Sequence, residues 1–201
     1  ESKSGIFFIA GIGFFLLAFL GNGAVPMLMY KDRHEATAEE VVNPRVLAQF
    51  RDLAERYPEP FRAAFGAPTA EACAEALRLG RQVYVGEGCW HCHSQFVRPV
   101  SNESRRFGPV SRSDEYDNEL QRPVMFGTRR VGPDLSREGG RRGNDWHAVH
   151  FHKPQVVSTD SPMPEYPWFF DGTPDAPNRR GFAIITYVQW LGSWLDEYPY
   201  Y

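Results

Sequence analysis

The chain has 201 residues, 42% of them hydrophobic and 23% charged, a globular balance that suits one domain of ordinary size plus an additional segment. Its formal net charge of −3 is too small to point to nucleic acid or to a strongly charged partner. No internal repeat or low-complexity tract interrupts it.

From Gly5 to Tyr30 there is no charged side chain, and only Asn22 is strongly polar. A helix over this stretch spans about 39 Å, more than the roughly 30 Å of a bilayer's hydrocarbon core. The competing reading is a cleavable signal, with Gly21 to Ala24 imitating a small-residue cleavage site. The glycines at 11, 13, 21 and 23 and Pro26 are tolerable in a membrane helix packed on neighbours. Residues 1–32 are therefore read as a single transmembrane anchor in contact with lipid. Lys3, Lys31 and Arg33, mixed with Asp32 and Glu35, do not set its orientation.

Residues 33–72 read as a linker or docking segment with a helix. Val41, Val42, Val46, Leu47, Phe50 and Leu53 recur at spacings near three and four, and Asn43 before Pro44 marks a helix start. Tyr57-Pro-Glu-Pro60 and Gly66-Ala-Pro68 punctuate the chain. A second helix begins at Thr69, runs through Leu77 and Val83 to Val85, and delivers Gly88 to the most informative stretch.

That stretch contains Cys89 and Cys92, with His93 directly after, the C-x-x-C-H pattern of covalent c-type haem attachment. The two thiols add to the two vinyl groups of one haem c, and the adjacent imidazole reaches the iron. A zinc site wants a second cysteine or histidine pair, and a thioredoxin-like pair wants a βαβ context. The abundant aromatics, 15 Phe, 9 Tyr and 5 Trp, suit a protein that wraps a flat apolar macrocycle. Cys73, the remaining cysteine, reads as a small core residue. Bacterial haem attachment takes place outside the cytoplasm. The expected topology is thus an amino terminus in the cytoplasm, an anchor in the inner membrane and a periplasmic haem domain.

The candidates for the second iron ligand are Met125, Met163, His147, His150 and His152. Met163 is preferred, because Pro162 and Pro164 hold the backbone extended and fix the thioether's reach. Met125 reads as core. In Gly132-Pro133-Asp134-Leu135 the Pro133 carbonyl is expected to accept from Nδ1–H of His93, with an ordinary turn as the alternative. Arg98, Arg129 and Arg130 are candidate partners of the haem propionates. His147, His150 and His152 lack a nearby carboxylate or cysteine that completes a metal site, so structural hydrogen bonding is expected of them. An amphipathic helix over Gly181–Leu195 should pack across the helix before the haem motif. The fold expected is mainly α, with one transmembrane helix followed by a class I cytochrome c-like helical domain over residues 73–201.

These residues together resemble the monohaem cytochrome c subunit (subunit II, FixO/CcoO family) of cbb3-type cytochrome c oxidases. The resemblance is carried by Gly88-Cys-Trp-His-Cys-His-Ser-Gln-Phe-Val-Arg-Pro99, Arg130-Val-Gly-Pro-Asp-Leu135, Asp145-Trp-His147 and Ser161-Pro-Met-Pro-Glu-Tyr-Pro-Trp168. It implies that Cys89 and Cys92 bind the haem and that His93 and Met163 ligate its iron. It also implies a non-catalytic electron-transfer subunit beside a haem–copper subunit carrying haem b and copper. Electrons are then supplied by soluble cytochrome c or a companion dihaem subunit during reduction of dioxygen to water. Residues 31–72 are longer and richer in proline than the family leads one to expect, and Phe169–Arg180 is shorter. The rival readings are an electron-transfer subunit of a related nitric oxide reductase and a freestanding membrane-tethered shuttle.

Overall fold

A computed structural model describes residues 4–195, which divide into two compact units, one ending at Glu35 and one beginning at Ala36. In the first unit α1 (Ser4–Phe19) passes through a widened π-helical turn at Leu20–Ala24 into α2 (Val25–Tyr30). The widening sits just before Pro26, which has no N–H to donate to the preceding turn and crowds it sterically. Asn22 donates its side-chain amide to the Ala18 carbonyl at 3.2 Å, so the segment's strongest polar group is satisfied within the helix. Ser4–Tyr30 is 27 residues with a mean hydropathy of 2.2, long and apolar enough to cross a membrane.

The second unit is mainly α, as expected. It comprises α3 (Ala38–Val41), α4 (Pro44–Arg56), α5 (Pro58–Phe65), α6 (Ala70–Gly86), the single turn α7 (Cys89–Cys92), α8 (Glu103–Phe107), α9 (Asn144–His152) and α10 (Arg179–Trp190). Short 3-10 turns lie at Ser113–Tyr116, Pro154–Val156 and Pro167–Phe169. Among the described residues only two isolated β-bridges occur, Ala36 with Asn118 and Phe170 with Pro177.

The helix starts follow local chemistry. Asn43 Oδ1 accepts from the backbone N–H groups of Arg45 and Val46 at 3.0 and 3.1 Å, with Pro44 in the first turn of α4. Thr69 Oγ1 caps α6 through Ala72 N–H at 3.2 Å, and Asn178 caps α10 through Arg180 and Gly181. Thr37 and Glu40 close a reciprocal capping box on α3.

Packing is organised around α10, in which every residue from Gly181 to Trp190 is buried. It crosses α6 as expected, and the crossing is tight at Gly80. A Cβ there would lie 2.2 Å from the Ala183 carbonyl oxygen and 2.5 Å from Tyr187 Cβ. Gly80→Ala should therefore force the two helices apart, costing about 2–3 kcal/mol and lowering the unfolding midpoint by roughly 5–10 °C. Thermal unfolding of the variant checks this; an unchanged midpoint would mean that the crossing relaxes freely. The sequence expectation placed α10 over Gly181–Leu195, but it ends at Trp190. Gly192 adopts a left-handed conformation (φ 81°), which stops the helix.

The segment 33–72, expected as a linker or docking element, is part of the second unit from Ala36 onward. Val46, Phe50, Leu53 and Phe61 are buried, Phe61 edge-on to Phe182 of α10 at 5.4 Å between ring centroids. Trp190 donates its indole N–H to the Val41 carbonyl at 3.1 Å, and Asn43 donates to Ser193 Oγ at 2.7 Å. Cys73 is fully buried in the same core, and burial pushes its thiol up to about 12, which fits the core role expected of it.

Candidate haem site

The end of α6 fixes where the site begins. Gly88, in a left-handed conformation (φ 71°), redirects the chain into the single turn of α7. That turn carries Cys89 at its first position and Cys92 at its last, and His93 leaves it in an extended conformation. The Tyr84 hydroxyl donates to the His93 carbonyl at 2.6 Å, tying α6 to the residue that follows the second cysteine.

A second layer of backbone lies against this turn. Thr128 and Gly132 donate their N–H groups to the carbonyls of His91 and Cys92 at 3.1 Å each, and Leu135 donates to Ser94 at 2.9 Å. The apposition is close enough that a Cβ on Gly132 would fall 2.2 Å from Cε1 of the His93 ring, so only glycine fits there. It brings the Pro133 carbonyl 2.9 Å from His93 Nδ1. A carbonyl only accepts, so Nδ1 carries the proton and Nε2 keeps its lone pair for another partner. Burial lowers the proton affinity of His93, partly opposed by this hydrogen bond and by the nearby Asp134 carboxylate.

A buried network sets the turn's position. Asp134, 1% exposed, accepts from Ser94 Oγ at 2.5 Å and from the backbone N–H groups of Phe96 and Ser136 at 2.9 Å each. Arg130 reaches the same carboxylate at 3.3 Å and also bonds Ser94 Oγ, the Phe96 carbonyl and Glu103. Arg98 pairs with Glu103 at 3.2 Å. Arg98 and Arg130, expected beside the haem propionates, are thus held by this network and do not line the cavity described next. Its wall instead carries Arg106, Arg141 and Arg142. The sequence held no signal to separate these arginines, because the choice depends on which carboxylates the fold places beneath them.

Cys89, Cys92, His93 and Met163 open onto one cavity of about 650 Å³. Met163 is half-buried on its rim, between Pro162 and Pro164, and packs against the hydrophobic core. Gln155 braces this loop by donating to the carbonyls of Ser161 and Met163 at 3.0 and 3.3 Å. Tyr166 N–H donates to the Phe151 carbonyl at 2.9 Å and so ties the loop to α9. Met125 is buried in the core away from the cavity, and His152 packs edge-on to Phe170 at 5.3 Å rather than lining it.

His147 and His150, expected to make structural hydrogen bonds, line the cavity, where His147 Nε2 and His150 Nδ1 are buried with no hydrogen-bond partner among the described residues. The helix supplies ring contacts instead, with His150 stacked on Trp146 at 4.5 Å and His147 facing Phe151 at 6.4 Å. Burial, reinforced by neighbouring positive charge, pushes His147 down to about 3 and His150 down to about 4, so both are neutral at physiological pH. No cluster of three or more His, Cys, Asp or Glu residues suited to a free metal ion occurs among the described residues.

The donor set fits a haem. Two thiols and an imidazole of fixed tautomer share one cavity with a thioether. The lining also includes the apolar groups Phe107, Leu135, Phe151 and Val188, and the cavity is larger than a single ion requires. No curated protein matches the chain. A family described as cytochrome c oxidase, mono-heme subunit/FixO, matches residues 72–181, more than half of the chain. The match takes in the cysteine turn, the Gly132–Leu135 turn and the Met163 loop, the three elements that meet at the cavity. The chain belongs to the FixO family, the mono-haem subunits of cbb3-type cytochrome c oxidases.

Proposed function

We propose that the chain holds one haem c through thioethers to Cys89 and Cys92, with His93 and Met163 as the two iron ligands, and that it passes electrons into the catalytic subunit of its oxidase. The observation that carries this reading is the convergence of those four side chains on one cavity. The haem supplies a one-electron couple at its iron. The residues of this chain do the rest. Pro133 holds the His93 ring in the tautomer that offers Nε2, and Gly132 leaves room for that ring. The proline-framed Met163 loop, braced by Gln155, offers a sulfur that favours reduced iron and raises the potential. The apolar lining excludes water and lowers the reorganisation needed for electron transfer.

In this reading the donors are soluble cytochrome c or a dihaem companion subunit. The acceptor is haem b of a haem–copper subunit that reduces dioxygen to water. Ser4–Tyr30 anchors the chain in the bacterial inner membrane with its amino terminus in the cytoplasm and the haem unit in the periplasm. This chain contributes no dioxygen-reducing group of its own. Purification from the native membrane in mild detergent, with haem and metal analysis, tests the assignment. Recovery with a large subunit containing b-type haem and copper, together with cytochrome c-driven oxygen consumption, is the expected result. Recovery with b-type haem, non-haem iron and nitric oxide reduction would assign the chain to a nitric oxide reductase. A lone c-type haem would leave only the tethered shuttle.

A further inference from the structure

On the reading of the cavity as a haem site, we propose that His147 is the buried hydrogen-bond donor that anchors a haem propionate, on a wall completed by Arg142 and His150. His147 is 2% exposed, lines the cavity, and its Nε2 lacks a partner. A buried ring nitrogen left unpaired costs about 1–3 kcal/mol, so a group that enters the cavity with an acceptor oxygen relieves it. The neighbours are matched to a carboxylate. Arg142 lies close enough to both histidines to depress their proton affinity, and its guanidinium sits over Trp146 at 5.0 Å. A carboxylate placed there meets the Arg142 guanidinium beside neutral imidazole donors.

The wall is also built rather than incidental. Gln189 of α10 donates to the Arg142 carbonyl at 2.9 Å and to Asn144 Oδ1 at 3.0 Å, and it accepts from Gly140 N–H at 2.9 Å. Asn144 in turn donates to the Gln49 carbonyl at 2.9 Å and to Asp52 at 2.8 Å. The loop carrying Arg142 and the start of α9 are therefore clamped to α4 and α10. The cavity's lining also includes the acidic groups Glu87, Glu138 and Asp160, and Glu138 lies near enough to Arg141 and Arg142 to feel both charges. Glu138 is held by Arg141 at 3.5 Å. Acting through the propionate rather than on the iron, His147 is a positioning residue.

The test uses the full chain in detergent with its haem attached, as His147→Phe and His147→Gln. Resonance Raman bands of propionate bending and the ferric-to-ferrous ratio at a fixed ambient potential are read for each. Loss of the donor in His147→Phe concentrates negative charge on the propionate and favours ferric iron. The propionate band should shift and the ferric-to-ferrous ratio should rise several-fold, and His147→Gln, which keeps an N–H, should restore most of both. If both readouts in His147→Phe match the unmodified protein, the proposal is overturned. The charge-transfer band of methionine-ligated ferric haem separates this failure from failure of the underlying assignment. Its absence from the unmodified protein would overturn the Met163 ligation, whereas its presence there with both readouts unmoved in His147→Phe overturns the propionate role alone.

Discussion

Met163→Ala should leave the haem covalently attached while lowering its reduction potential by on the order of 0.1 V or more, a fraction of the roughly 0.8 V that axial ligation spans. The proposed attachment runs through Cys89 and Cys92, which sit on the α7 turn and are positioned by Gly88 and Tyr84 without help from the 161–164 loop. On the proposed ligation, loss of the thioether removes the ligand that favours reduced iron. Alanine is too short to replace it, and Pro162 and Pro164 keep the backbone from bringing another side chain inward. The half-buried loop, braced by Gln155 and Tyr166, should remain folded, so thermal stability changes far less than the potential. The checks are a potentiometric titration and a carbon monoxide difference spectrum, in which the variant gains binding at the vacated position. An unchanged potential with no carbon monoxide binding would show that another side chain ligates the iron.

Asp134→Ala should be the most destabilising single change in the second unit, at about 3–5 kcal/mol and a fall in unfolding midpoint of roughly 10 °C or more. The carboxylate is 1% exposed and receives two backbone N–H groups, the Ser94 hydroxyl and Arg130. Alanine leaves the Phe96 and Ser136 N–H groups buried without their acceptor, and water has little access to replace it. Arg130 retains Glu103 and the Phe96 carbonyl, so the guanidinium is not stranded, which sets the upper end of the estimate. Because Asp134 follows Pro133 directly, release of the turn should also loosen the His93 Nδ1 hydrogen bond. Thermal unfolding read alongside the haem spectrum separates the two effects. A loss below about 1 kcal/mol would mean that the network is not the turn's main support.

Much of this molecule is written in local pattern. The C-x-x-C-H run, the proline frame of Met163 and the 26 uncharged residues from Gly5 to Tyr30 each point to a chemical role within one short stretch, because thioether spacing, backbone restriction and hydrocarbon thickness are local constraints. The caps at Asn43 and Thr69 are local in the same sense, since a side chain bonds backbone two or three residues on.

Tertiary structure decided what depends on partners distant along the chain. Arg130 and Arg142 carry the same side chain, yet the fold puts Ser94, Asp134 and Glu103 around the first and the cavity beside the second. The α9 histidines offered no sign in sequence of which ring nitrogen lacks a partner, since only packing against α10 and the cavity decides it. The polar, proline-marked residues after the anchor read as a spacer. From Ala36 onward they instead supply Val46, Phe50 and Phe61 to the core, because α10 is buried all along Gly181–Trp190 and needs cover beyond what α6 provides. Covalent chemistry and capping act over a few residues and are legible in order. Burial and charge pairing act across the fold and are fixed only when the helices meet.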